Sequence, residues 1–281
     1  MRCYLFAGQG TQKVGMGKGL FEQYQDLTES ASEVLGYCIK SLCLLGSHEK
    51  LSDTLYAQPA IYTVNAFNYF NVLEEQGKPD IAMGHSLGEY NALHAAGVFD
   101  FIQGLMLVKK RAEAMAKANG GGMVAVVGMH LEKIRFLMKR SGLSSLEVAN
   151  YNTVEQTVVA GRADEVSLFA RIMDDSGAMM TKELDVSGAF HSSAMVPTTE
   201  AYRQEISSQE YAPLQFSVIA NSTALPYEDQ QVGTILAEQV ISPVKWFDSI
   251  RYVLSLGDVE FVEIGESFHL SSMVRKIKMA V

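Results

Sequence analysis

The run Gly84-His85-Ser86-Leu87-Gly88 follows the short apolar stretch Ile81-Ala82-Met83 and precedes a helical pattern. No other feature of the chain constrains its fold as much. A strand that turns into a helix within a few residues crowds its own backbone, so glycine is needed on both sides of the tip. The serine at the tip is then held out at the sheet edge, over the positive end of the following helix. The pattern predicts a strand–turn–helix elbow and an enzyme that makes an acyl-serine. The plainer alternative is a capping box, in which Ser86 and Glu89 satisfy free N–H groups at a helix start. A capping box does not need glycine at both Gly84 and Gly88.

The chain is long enough to carry this elbow in a large domain with a smaller insert: 281 residues, 48% hydrophobic and only 20% charged. A net charge of -9 argues against non-specific nucleic-acid binding. Local basic groups remain, at Lys109-Lys110-Arg111 and at Arg275, Lys276 and Lys278. Cys3, Cys38 and Cys43 have neither the number nor the spacing of a zinc or disulfide framework, and they suit the reducing cytoplasm. The N-terminal apolar stretch is too short for a signal segment, and no run is long enough to span a membrane.

Hydrophobic spacing predicts strands at 3–7, 80–84, 216–219 and 260–264, and helices at about 58–73, 88–96, 101–118 and 196–207. Gln58-Pro59-Ala60 opens the first of these helices, with Pro59 expected in its first turn. Ser242-Pro243-Val244-Lys245-Trp246 opens a further helix, and Asn119-Gly120-Gly121-Gly122 reads as a hinge. Between 123 and 186 the pattern changes to strand 123–127, helix 131–141, strands 146–149 and 157–160, helix 165–176 and strand 179–184. This β-α-β-β-α-β order predicts a small ferredoxin-like subdomain at 123–186, inserted in a large α/β subdomain made of 1–122 and 187–281.

Gly8-Gln9-Gly10 begins a dinucleotide fingerprint but has Lys13 where the third glycine belongs, so a nucleotide site is not expected. A glycine pair after the first strand also lets backbone N–H groups approach a ligand oxygen, as an oxyanion hole requires; an ordinary turn is the alternative. A serine hydroxyl needs a base. Of six histidines, His191 stands out, in the small-residue segment Val186-Ser187-Gly188-Ala189-Phe190-His191 where the chain returns to the large body. A packed, hydrogen-bonded histidine is the alternative there. Arg111 lies at the margin of an apolar helix face with no carboxylate three or four residues away. A partly buried guanidinium needs either a tertiary carboxylate or a ligand anion.

Taken in order, Gly8-Gln9-Gly10, Gln58-Pro59-Ala60, Gly84-His85-Ser86-Leu87-Gly88-Glu89, Lys109-Lys110-Arg111, Gly188-Ala189-Phe190-His191 and Ser242-Pro243-Val244-Lys245-Trp246 span nearly the whole chain. Together they resemble the malonyl-CoA:acyl-carrier-protein transacylases, above all the freestanding, trans-acting acyltransferases of polyketide synthases. The resemblance implies an α/β-hydrolase-like large subdomain with a parallel sheet, Ser86 as nucleophile and His191 as base. It implies an oxyanion hole from the Gln9 and Leu87 N–H groups, and Arg111 on the malonyl carboxylate. It places Gln58, Asn152 and Phe190 at the substrate, Phe190 beside the α-carbon. The base is implied to be oriented by a backbone carbonyl near Pro243-Lys245. The implied partners are malonyl-CoA and an acyl carrier protein, with no nucleic acid, no membrane and no metal or redox cofactor. Lys133, Arg135, Lys139 and Arg140 are candidates for docking an acidic carrier. Departures from the family pattern fall at Ala7, Val154, Lys245 and Gly265-Glu266-Ser267.

Two other functions use the same residues differently. An acyl hydrolase that clears stalled carrier proteins would use Ser86 and His191 with water as acceptor, but a neutral stalled chain offers Arg111 no partner. A non-catalytic carrier-docking module would need neither residue.

Overall fold

The structure is a computed structural model that describes residues 1–280; residue 281, the last of the expected 187–281 segment, lies outside it. Its first sheet is parallel. Strand β1 (Arg2–Phe6) sits between β2 (Ile81–Gly84) and β8 (Glu260–Ile264), with β7 (Ser217–Ile219) outside β2. The unbroken apolar run Cys3-Tyr4-Leu5-Phe6 is what a central parallel strand requires, because helices cover both faces. Strand alternation divides it. Tyr4 and Phe6 join the core under helices Thr54–Gln76, Gly88–Ala95 and Phe101–Ala116, while Cys3 and Leu5 join the core under Trp246–Ser255 and His269–Lys278.

The second sheet is antiparallel and ordered β4-β5-β3-β6, from β3 (Gly121–Val127), β4 (Glu147–Thr153), β5 (Gln156–Arg162) and β6 (Met180–Glu183). Helices Leu131–Ser141 and Ala163–Asp175 cover one face through Val124, Val126, Val159, Ile134 and Phe169. The residues on the other face, Met123, Ala149, Val158 and Ala160, belong to the main core. Backbone hydrogen bonds from Tyr151 N to Val244 O and from Val244 N to Ala149 O join this sheet to the large body. Strand order and helix placement are those of the ferredoxin-like unit read from the sequence.

Helices 131–141 and 196–207 and strand 260–264 keep their expected limits. Two expectations do not hold. The helix expected to open at Gln58 starts at Thr54, where the Asp53 side chain accepts the Leu55 N–H, so Pro59 lies inside it rather than in its first turn. The glycine hinge is confined to Asn119-Gly120, since Gly121 and Gly122 already pair with β5. Gly121 is needed for close approach instead: a Cβ there would lie 2.3 Å from the Ala189 N of the returning chain.

The basic groups have structural uses. Lys109 Nζ donates to Val34 O, and Lys110 pairs with Glu205. Arg275, Lys276 and Lys278 occupy the last turn of their helix, where the macrodipole favours cations. At the departure Glu266, the carboxylate accepts the Gly17 N–H at 2.7 Å and pairs with Lys13 at 3.2 Å, so the C-terminal turn is tied to the N-terminal loop.

Candidate active site

Phe6 pairs with Gly84 at the ends of β1 and β2, so the loop after β1 and the elbow after β2 leave the sheet side by side. This is the C-terminal edge of a parallel sheet, where ligands bind in α/β folds. Ser86 is at the tip with φ 53°. The elbow has no room for side chains on its glycines: a Cβ on Gly84 would lie 1.9 Å from Gly88 C, and one on Gly88 would lie 2.0 Å from Phe6 O. Asn221 staples the turn, its Oδ1 accepting the Ser86 N–H at 2.7 Å and its Nδ2 donating to Gly84 O at 2.7 Å.

The capping-box alternative is excluded. The helix Gly88–Ala95 has no side-chain cap, and the Ser86 hydroxyl lies 2.7 Å from His191 Nε2. His191, also at positive φ (59°), is 4% exposed. Its Nδ1 faces Gln239 O at 3.0 Å and Ser242 O at 3.2 Å. Carbonyls only accept, so Nδ1 carries the ring proton and Nε2 presents a lone pair to the serine. The orienting carbonyls therefore precede the expected Pro243-Lys245 turn. They come from the end of helix Val232–Gln239 and the loop after it, because the last carbonyls of a helix have no partners within it. Burial, then the neighbouring Arg111 charge, pushes the His191 pKa down to about 3, so the ring is neutral and able to take a proton. His85 points away from the serine, as expected, with Nε2 2.8 Å from Asn152 Oδ1 and its ring against Trp246.

Arg111 is 1% exposed and makes no salt bridge among the described residues, so the tertiary ion pair allowed by the sequence is not formed. Its guanidinium donates to Gln58 Oε1 at 2.8 Å, Gln239 Oε1 at 2.9 Å and Ser86 Oγ at 3.2 Å, and lies over the Tyr90 ring. A buried cation whose direct hydrogen-bond partners are all neutral, within reach of the serine, can receive an anion.

The loop after β1 touches the elbow, since a Cβ on Gly8 would lie 2.3 Å from His85 O and 3.4 Å from Leu87 N. The N–H groups of Gln9 and Leu87 have no acceptor among the described residues. Phe190, next to His191, is buried in the main core. On helix Leu131–Ser141, Lys133, Arg135, Lys139 and Arg140 are all exposed; Lys133 donates to Ser176 O and Arg135 to Tyr151 Oη.

Sequence reasoning missed Gln239, Asn221 and the Glu89–Tyr227 pair. Gln239 meets Arg111 and Ser86 through its side chain and His191 through its carbonyl. Nothing in the local spacing of Gln239 or Asn221 marks these long-range contacts. Glu89 was visible in the motif, but only the capping-box alternative gave it a role.

A serine at an elbow on a parallel sheet, an imidazole against its hydroxyl, and a ferredoxin-like sheet beside them define an acyl-transfer enzyme of the α/β class. The chain belongs to the acyl transferase domain family, which matches residues 3–280. It is 42% identical over 283 residues to the polyketide biosynthesis malonyl CoA-acyl carrier protein transacylase BaeC of Bacillus velezensis, covering 99% of this chain and 97% of that protein. It is 45% identical over 280 residues to the polyketide biosynthesis protein PksE of Bacillus subtilis, covering 99% of this chain but spanning only 36% of that protein's length. The crystal structure of a malonyl CoA-acyl carrier protein transacylase from Burkholderia pseudomallei superposes with a TM-score of 0.95 at 40% identity, covering 100% of this chain and 99% of the other. Among the described residues, no helix is long and apolar enough to cross a membrane.

Proposed function

We propose that this protein moves a malonyl group from malonyl-CoA to the phosphopantetheine thiol of an acyl carrier protein, acting in trans in polyketide biosynthesis. His191 Nε2 takes the Ser86 proton as Oγ attacks the thioester carbonyl. The N–H groups of Gln9 and Leu87 receive the oxyanion, each worth about 3 kcal/mol. The C–S bond breaks, CoA leaves as its thiol with the proton from His191, and malonyl-Ser86 remains. The carrier thiol then attacks this ester, again with His191 as base, and Ser86 leaves with the proton restored. This is ping-pong chemistry and no step requires a metal or redox cofactor.

The observation that carries the reading is the unpaired, buried Arg111 guanidinium 3.2 Å from the nucleophile, matched to a substrate with a carboxylate beyond its thioester. Gln58 holds that guanidinium from the other side, Asn152 fixes His85 behind the elbow, and Phe190 narrows the space at the α-carbon. Lys139 and Arg140 offer exposed charge to an acidic carrier. The reaction proposed is a cytoplasmic one, in keeping with three cysteines that have no disulfide spacing. The test is intact-mass analysis after incubation with malonyl-CoA, with and without carrier protein. A malonyl adduct on Ser86 that passes to the carrier is expected. Release of free malonate without transfer would instead indicate a hydrolase, and absence of any adduct a docking module.

A further inference from the structure

Glu89 is 0% exposed and forms no salt bridge among the described residues. Its Oε1 accepts from Tyr227 Oη at 2.5 Å and from Asn221 N at 3.1 Å, and its Oε2 accepts from Gln239 Nε2 at 2.8 Å. The Gln239 amide is nearly symmetric in shape but not in chemistry. Its NH2 group donates to Glu89 Oε2 and to Ser86 O (2.6 Å), two groups that only accept. Its Oε1 is therefore left for the Arg111 guanidinium. Reversed, the amide would set oxygen against carboxylate and NH2 against guanidinium. The Glu89 carboxylate, together with the Ser86 carbonyl, thus decides which end of Gln239 faces Arg111.

A buried carboxylate is a costly way to secure the start of a helix, and burial pushes the Glu89 pKa up to about 7 against the pull of its hydrogen bonds and of Arg111. A neutral side chain would fill the same space. What it could not do is dictate the polarity of Gln239.

We propose that Glu89 is a positioning residue for recognition of the substrate carboxylate: through Gln239 it fixes the Arg111 guanidinium beside the Ser86 hydroxyl. The inference rests on the malonyl-transfer reading. In Glu89→Gln the new oxygen still serves Tyr227 and Asn221, but its NH2 group confronts Gln239 Nε2. Gln239 must then turn or withdraw, and Arg111 loses one of its three acceptors.

The experiment measures Ser86 acylation of wild type and Glu89→Gln by malonyl-CoA and by acetyl-CoA, with intact-mass detection. Malonylation is expected to fall by about tenfold to a hundredfold, the effect of a lost hydrogen bond to a charged group, while acetylation falls by less than about threefold. Equal losses on both substrates would assign Glu89 a structural role only and overturn the inference. Should Glu89→Gln fail to fold, Glu89→Asp keeps the charge but withdraws it by one methylene from Gln239, and the same malonyl-selective loss is expected at smaller size. Again, a uniform loss overturns the inference. Wild-type protein that takes neither acyl group would refute the malonyl-transfer reading itself.

Discussion

Ser86 Oγ and His191 Nε2 meet at 2.7 Å although the residues are 105 positions apart, and both hold their backbones at positive φ. Only one other non-glycine residue among those described, Ala224, does so. Strain of this kind persists where the surrounding structure over-determines it, and it concentrates at functional sites.

Removing the hydroxyl tests the centre directly. Ser86→Ala is expected to show no acyl adduct by intact mass with malonyl-CoA, while folding normally. His191→Ala keeps the nucleophile but loses its base, and its acylation rate is expected to fall by about a thousandfold or more.

Arg111→Ala should lose malonyl transfer by about a hundredfold or more, with a much smaller loss of acetyl transfer, because only the malonyl group presents a carboxylate. Arg111→Lys is not expected to rescue it, since an ammonium cannot span Gln58, Gln239 and Ser86 with one fork. Side-by-side acylation kinetics decide the matter; equal losses on both substrates would refute the carboxylate role.

Phe190→Ala is expected to admit an α-methyl group. One methyl group is worth about 1–3 kcal/mol in a pocket, so the malonyl preference should weaken by about tenfold or more. Competition between malonyl-CoA and methylmalonyl-CoA measures it, and an unchanged ratio would remove Phe190 from extender selection.

Gly88→Ala should destabilise the protein by about 3–5 kcal/mol, because its Cβ would meet Phe6 O at 2.0 Å in backbone that cannot move without displacing β1. Chemical denaturation reads this. A loss within about 0.5 kcal/mol, the range of an ordinary surface change, would show that the elbow is looser than its geometry.

The two perturbed groups shift stability in opposite directions with pH. Folding lowers the His191 pKa from 6.5 to about 3, so its contribution is complete above pH 6.5 and is lost as pH falls toward 3. Folding raises the Glu89 pKa from 4.5 to about 7, so its contribution is present below pH 4.5 and is lost as pH rises through 7. In the pH profile of Ser86 acylation, any inflection near neutrality is therefore expected to vanish in Glu89→Gln. An inflection near 6.5 that survives the substitution would show that His191 titrates as an ordinary imidazole.

Some of this was written in short-range order. Glycines on both sides of Ser86, the unbroken apolar strand at Cys3–Phe6 and the β-α-β-β-α-β alternation fix local geometry over a few residues, so elbow, central strand and small sheet could be read without coordinates. His191 and Arg111 were legible as anomalies, one in a small-residue segment and one at the edge of an apolar face. The start of the helix at Thr54 was not legible, because packing carries a proline inside a helix that local rules would begin beside it. Nor were the carbonyls behind His191, or the grip of Gln239 and Asn221 on the elbow, since contacts across such sequence separations leave no periodic trace. The residues alone determined that a serine would stand at the tip of a turn. Only the tertiary structure decided that a guanidinium with no carboxylate in direct contact would be buried beside it, because charge compensation depends on which distant groups the fold brings within hydrogen-bond reach.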